Sequence, residues 1–217
     1  LNPDAELQTY YAARAGEYDD VYLKRERQPE LRWLESHVSS AFAGEQVLEI
    51  ACGTGHWTRF LARSAASVLA SDLNPEPLVL ARDRDYGSTD VRFAIADAYT
   101  LRGVPNGHTA AFHAFWWSHV PLERTDRFLE ALHSRLVPEA HVVMIDNVYA
   151  AGSSTPLART DERGNTYQIR ELADGSRREI LKNYPSRSGL VAALTHHATD
   201  VSVEFGRYYW IAEYQTR

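Results

Sequence analysis

Residues Val47 to Thr58 read VLEIACGTGHWT. An apolar run (Val47, Leu48, Ile50) enters a turn of small residues, Ala51-Cys52-Gly53-Thr54-Gly55, and an amphipathic stretch from Trp57 to Ala65 follows at once. This is the pattern of a buried strand, a tight turn and a helix. Gly53 and Gly55 let the backbone bend and let a ligand come close, while the helix aims its unpaired N–H groups at the same place. The turn is therefore a platform for a ligand.

What the glycines are joined to narrows the choice. A dinucleotide fingerprint needs a third glycine three residues after the second, for close helix packing, and this chain has Thr58 there. Instead Glu49 stands near the strand end in the order Glu-x-Ala-x-Gly-x-Gly. Asp72 ends the next strand in SVLASDL, and Asp97 closes the one after it in VRFAIADA. On these residues the sequence resembles the class I S-adenosylmethionine-dependent methyltransferases, over nearly the whole chain. The resemblance implies a Rossmann-like α/β fold. Its seven-stranded, mostly parallel sheet would run in the order 3-2-1-4-5-7-6, with helices on both faces and S-adenosyl-L-methionine as cofactor.

The length, 217 residues, suits one α/β domain, and the net charge of −6 supplies no basic surface for nucleic acid. Cys52 is the only cysteine, which excludes an intramolecular disulfide and a cysteine-rich zinc site and fits a reducing compartment. No run is apolar over the length of a membrane span and no signal-peptide pattern opens the chain, so a cytoplasmic location is expected. The expected partner is a small-molecule acceptor, with neither nucleic acid nor membrane; the oligomeric state is left open.

The single domain spans residues 1–217, with an N-terminal segment (1–28) and a loop and hairpin (150–185) added to the alternating core. In the N-terminal segment Tyr10, Arg14, Tyr18 and Tyr22 lie four apart on one helical stripe. The family resemblance makes this a lid over the cofactor; packing of tyrosines on the core, with Arg14 paired to Glu17 or Asp20, is the plainer reading. Helices are expected over 29–42, 57–65, 75–84, 123–136 and 186–197, and strands over 90–96, 110–116 and 141–147, besides the two around the acids. Runs 166–171 and 176–182 flank Asp174-Gly175 as a hairpin, which either covers the acceptor or decorates the surface. Pro138-Glu139-Ala140 stands where relatives usually carry Pro-Gly-Gly.

The resemblance assigns roles residue by residue. Asp72 would accept hydrogen bonds from the ribose hydroxyls with Leu73 beside it, or else cap the following helix. Asp97 and Ala98 would meet the adenine, unless Asp97 only forms a turn. Glu49 would face the methionine ammonium, with Ala51, Gly53, Thr54 and Gly55 shaping the cradle. Tyr11, Arg14 and Tyr18 would close over it, and Trp116 and Ser118 of FWWSHVP would touch the methionine end. His119 is the candidate catalytic base, since imidazole titrates near neutrality; it also has the plainer reading of a ring that caps a helix or bonds a carbonyl. Tyr10, Trp117 and Tyr149 would wall an aromatic pocket for a planar or apolar acceptor, although paired tryptophans usually pack inside. No metal site is expected: His196 and His197 point about 100° apart on a helix, and there is no His-Glu-x-x-His.

The leading expectation is methyl transfer to nitrogen or oxygen of a small metabolite. A nicotinamide-dependent dehydrogenase on a similar sheet and a non-catalytic binding module are the alternatives. Thr58 in the third-glycine place weighs against the first of these, and the intact Glu-x-Ala-x-Gly-x-Gly turn against the second.

Overall fold

The strand that begins the glycine turn, β1 (Gln46–Ile50), lies at the centre of a seven-stranded sheet. Val47, Leu48 and Ile50 are buried on both faces, as a central parallel strand requires. β2 (Ser67–Asp72) and β4 (His108–Ala114) flank it in parallel. Beyond them lie β3 (Asp90–Ile95) and β5 (Leu136–Asn147). In a computed structural model describing Tyr10, Asp19 and residues 21–172 and 174–217, β10 (Tyr209–Thr216) pairs antiparallel with β5, and β9 (Ala198–Phe205) completes the sheet antiparallel to β10. The order β3-β2-β1-β4-β5-β10-β9 is the expected 3-2-1-4-5-7-6, since β9 and β10 are the sixth and seventh strands of this sheet.

Alternation along the strands divides the core in two. Val47, Val143 and Ile145 pack with Leu31 and Leu34 of α1 (Gln28–Ala41) and with Phe60 of α2 (Thr58–Leu61). Leu48, Val142 and Met144 pack on the other face with Phe128 and Leu132 of α4 (Thr125–His133) and Leu190 of α5 (Arg187–Thr195). Helix α3 (Pro75–Arg82) starts on its proline, and Ser186 caps α5 by accepting from the Gly189 amide at 3.1 Å.

Some boundaries differ from the sequence reading. Helix α2 ends at Leu61 rather than Ala65, because the next residues tie back to the start of β1: the Gly44 amide donates to the Ser64 carbonyl at 2.9 Å and the Ala66 amide to Glu45 at 2.8 Å. Strand β5 begins at Leu136, so Pro138-Glu139-Ala140 lies within it. Glu139 takes φ 60, and the pairing with β4 slips between His108 and Ala110, which makes this stretch a bulge rather than a turn. The hairpin β7 (Thr166–Glu171) and β8 (Arg177–Leu181) gains a third strand, β6 (Arg159–Thr160), within the stretch read as loop.

Two polar clasps hold α1 against the terminal strands. The Glu30 carboxylate accepts from the amides of Arg207, Tyr208 and Tyr209 at 2.9, 3.0 and 3.2 Å. At the other end of the helix Glu213 pairs with His37 at 3.0 Å and His141 at 3.1 Å. Hydrogen bonds from His141 and His37 hold Glu213 down at about 2, and the bond to Glu213 raises His37. The Glu213 contribution is present above its unfolded value of 4.5 and fades towards 2, whereas the His37 contribution is present below 6.5 and fades as pH rises through its raised value. Glu213→Gln is therefore expected to lower the Tm by about 2 °C near pH 5.5, for a partly exposed cluster of ~1 kcal/mol. The gap should narrow as pH rises through the raised His37 value, and melting across pH checks it.

Candidate active site

Left-handed residues mark the turn after β1: Ala51 at φ 52, Gly53 at φ 56 and Gly55 at φ 76. A side chain on Gly55 would collide with the Tyr86 hydroxyl, so glycine is required there by packing within the chain as well as by its φ. Asp72 stitches this turn to α3: its carboxylate accepts from the Gly53 amide at 2.9 Å and the Asn74 amide at 2.9 Å. Burial raises the Asp72 carboxyl, and amide hydrogen bonds offset only part of that. Thr58, which breaks the dinucleotide fingerprint, has a task of its own: its hydroxyl donates to Glu49 at 2.6 Å. Glu49 is 2% exposed and is pushed up to about 8 by burial, with Asp72 adding to the rise. Thr58 is its one hydrogen-bond donor among the described residues, so the acid has capacity left for a cation.

Around the cradle, the Asp97 carboxylate accepts from the Tyr99 amide at 2.7 Å and its carbonyl from Leu101 at 2.8 Å, a turn that also brings Ala98 to the sheet edge. Leu73 and Ile95 are exposed there, and Ile95 is the register partner of Asp72. The Thr54 hydroxyl donates to Asp19 at 2.6 Å, and Arg84 bonds both Asp19 and the Thr54 carbonyl. Tyr22 stacks on His56 with ring centres 3.5 Å apart, so the N-terminal segment meets the turn wherever it is described. Tyr11, Arg14 and Tyr18 lie outside the described residues.

The exit of β4 departs further from expectation. Phe115 takes φ 61, and Trp116, partly exposed, packs on Phe128 with ring centres 6.1 Å apart. Trp117 is a correction: it is buried in the core against Phe128 and walls no pocket. Ser118 is another, since it is fully buried, its amide and hydroxyl both donate to Asp146 (2.8 and 2.9 Å), and Lys182 donates to its hydroxyl at 2.6 Å. It is thus enclosed in a structural network and offers no surface to the methionine end. His119 does line the cleft, but its Nδ1 lies 2.8 Å from the Leu181 carbonyl. Burial, with Lys182 beside it, lowers the imidazole to about 3. That is too weak for a general base near neutrality, and the carbonyl-bonded reading takes its place.

The hairpin closes over this exit. The Asn183 amide donates to the Ser118 carbonyl at 2.7 Å and its side chain to the Val120 carbonyl at 3.0 Å. Lys182 is thereby inserted, buried, 3.4 Å from Asp146. Burial pushes Asp146 up, but the Lys182 ammonium and the amides of Ser118 and Asn147 together hold it below the usual carboxylate range. The resulting cleft holds a cavity of about 120 Å³ that opens to solvent. Tyr10 and Tyr22 form an aromatic side, whereas Tyr149, expected in the wall, stays outside the lining and packs edge-on to Tyr184 at 5.3 Å. Beside these aromatic rings, Lys24, Arg27, Arg170 and Lys182 also line the cleft, which the expectation of an aromatic pocket did not include. None of them was singled out from the sequence; the one hint was Asp146, an acid at the carboxyl end of the otherwise apolar run HVVMIDN.

Comparison with known proteins agrees with this geometry. Residues 47–139 match the family described as "Methyltransferase domain". Curated demethylmenaquinone methyltransferases of Tropheryma whipplei, strains Twist and TW08/27, are 33% identical over 82 residues, 37% of this chain and 34% of theirs. The match thus spans about a third of those relatives' length. Among solved structures, a DhpI–SAH complex is 29% identical with a TM-score of 0.75, covering 98% of this chain and 96% of its own. A DhpI–SAM–HEP complex is 27% identical with a TM-score of 0.78, covering 98% and 97%. N-methyltransferase NodS from Bradyrhizobium japonicum WM9, 17% identical with a TM-score of 0.58 and coverage of 89% and 87%, shares the fold. With the glycine turn, the acids on successive strand ends and the sheet order already in place, residues 47–139 carry a methyltransferase domain and the chain has the fold of the class I S-adenosylmethionine-dependent methyltransferases.

Proposed function

We propose that the protein transfers a methyl group from S-adenosyl-L-methionine to an oxygen or nitrogen of a small-molecule metabolite, releasing S-adenosyl-L-homocysteine. The observation that carries this reading is Glu49: a buried acid, raised to about 8, at the mouth of a glycine turn, with one neutral donor. Such an acid suits the amino-acid ammonium of the cofactor, and the exposed Leu73 and Ile95 beside Asp72 suit its nucleoside end. The likeness to DhpI, solved with SAH and with SAM and HEP, supports the same donor.

When bound, the cofactor supplies a sulfonium whose methyl is open to in-line attack. The chain's own part is to position and to exclude water. Gly53 and Gly55 leave the backbone bare, Asp72 fixes the turn, and Asp97 with Ala98 forms the far edge. Tyr22, stacked on His56, and Tyr10 cover the cleft, and the hairpin seals it through Asn183. His119 stands on the cleft wall with its Nδ1 bonded to the Leu181 carbonyl and its basicity lowered by burial, so positioning carries the rate.

A cation beside Glu49 lowers its carboxyl, so S-adenosylhomocysteine binding near pH 7 is expected to release up to about one proton. Calorimetry in two buffers of different ionisation enthalpy reads this, and Glu49→Gln should abolish it. Isotope transfer from labelled S-adenosylmethionine into a metabolite extract tests turnover; no cofactor uptake in a native mass spectrum would sink the reading.

A further inference from the structure

Among the described residues, the four cations of the cleft have few acids to answer them. Arg27 is 6% exposed, and its guanidinium donates only to neutral groups: Ser153 Oγ at 3.0 Å, Asn147 Oδ1 at 3.1 Å and Ser154 Oγ at 3.4 Å. It also lies over the rings of Tyr208 and Tyr209, 5.2 and 5.7 Å from their centres. Arg170, on β7, donates to Gln168 at 2.7 Å. Lys24 donates to the Ser153 carbonyl. Lys182 alone has a carboxylate inside, Asp146, and that carboxylate also accepts from Ser118 and Asn147. The remaining acid nearby, Glu26, is exposed outside the cleft lining and accepts from Ser153. Burial lowers the ammonium of both Lys182 and Lys24; Arg170 and Arg27 add to that, against Asp146 for Lys182 and Glu26 for Lys24, so the four lie in one another's field.

Arg27 is the buried cation of the four with no carboxylate partner among the described residues, whereas Arg170 is partly buried and Lys24 exposed; such a buried cation is costly, and the cost is relieved when a ligand brings the missing negative charge. A guanidinium held in place by neutral oxygens is set to grip an oxyanion. We infer that the acceptor carries an oxyanion group, a carboxylate or a phosphoryl, which seats between Arg27 and Arg170 with Lys24 and Lys182 beside it. This rests on the methyltransferase reading for the word acceptor, but the anion subsite stands on its own residues. It also selects among metabolites: a neutral aromatic compound leaves Arg27 and Arg170 without a counter-charge, while an anionic one supplies it.

The test titrates inorganic phosphate and, separately, acetate into protein saturated with S-adenosylhomocysteine, by calorimetry at constant ionic strength set with chloride. At least one of the two should bind at a single site, tenfold or more weaker in Arg170→Gln and Arg27→Gln, with the homocysteine compound bound within twofold of the parent. Arg170 is only half-buried, so Arg170→Gln remains informative if the buried Arg27 variant does not fold. Preference for phosphate assigns a phosphoryl group and preference for acetate a carboxylate; either supports the subsite. Absence of binding by both anions above the chloride background, or equal binding by Arg170→Gln, overturns it. Should S-adenosylhomocysteine fail to bind, the methyltransferase reading falls, and phosphate titration of the unliganded protein still decides the subsite.

Discussion

Lys182→Met should lower the stability of the protein by about 3 kcal/mol, a Tm drop of ~10 °C for a chain of this size. Removing the ammonium leaves the Asp146 carboxylate wholly buried with hydrogen-bond donors but no charge partner. The four donors that stay behind, from Ser118 and Asn147, place the loss at the lower end of the range for broken buried pairs. Asp146→Asn added to Lys182→Met should recover most of it, because a neutral amide needs no counter-ion. Thermal melting of the two variants reads both numbers, and a single variant as stable as the parent would show that Asp146 is not ionised in the folded protein.

Asp72→Ala should weaken S-adenosylhomocysteine binding by about tenfold or more, from the loss of charge-assisted hydrogen bonds worth ~1.5–3 kcal/mol each. The same carboxylate holds the amides of Gly53 and Asn74, so truncation also frees the glycine turn from α3. Asp72→Asn separates the two effects, since its remaining carbonyl can still hold one amide while the charge is gone. Calorimetry on both variants decides; unaltered affinity in Asp72→Ala would remove this residue from the binding site.

The sheet was legible because its signals are local. VLEIACGTG carries its own burial pattern and turn chemistry, and the strand-end acids recur at the pace of the alternating elements. What sequence alone missed is what distant segments make together. Lys182 looks like the polar end of a surface hairpin until Asn183 seats that hairpin on the Ser118 and Val120 carbonyls and drives the ammonium inside. Arg27 opens a helix in a charge-rich stretch and gives no sign that Asn147, Ser153 and Ser154, some 120 residues on, will enclose it. Trp117 and Ser118 went the other way. Their place at the end of β4 pointed to the crevice, but Phe128 and Asp146 draw both side chains into the interior. His119 kept its place on the cleft wall and lost its basicity to burial, which no spacing rule reports.

The Glu30 clasp has a bearing on how the chain is made. Its carboxylate is satisfied only by amides of residues 207–209, so during synthesis α1 has no anchor at this end until nearly the last strand has left the ribosome. Arg27 and Tyr22, just upstream, wait with it, and the glycine turn and its neighbouring strands form first as an uncovered platform. The wall that Arg27 and Tyr22 contribute to the cleft is therefore clasped only after the segment 177 residues beyond Glu30 has emerged.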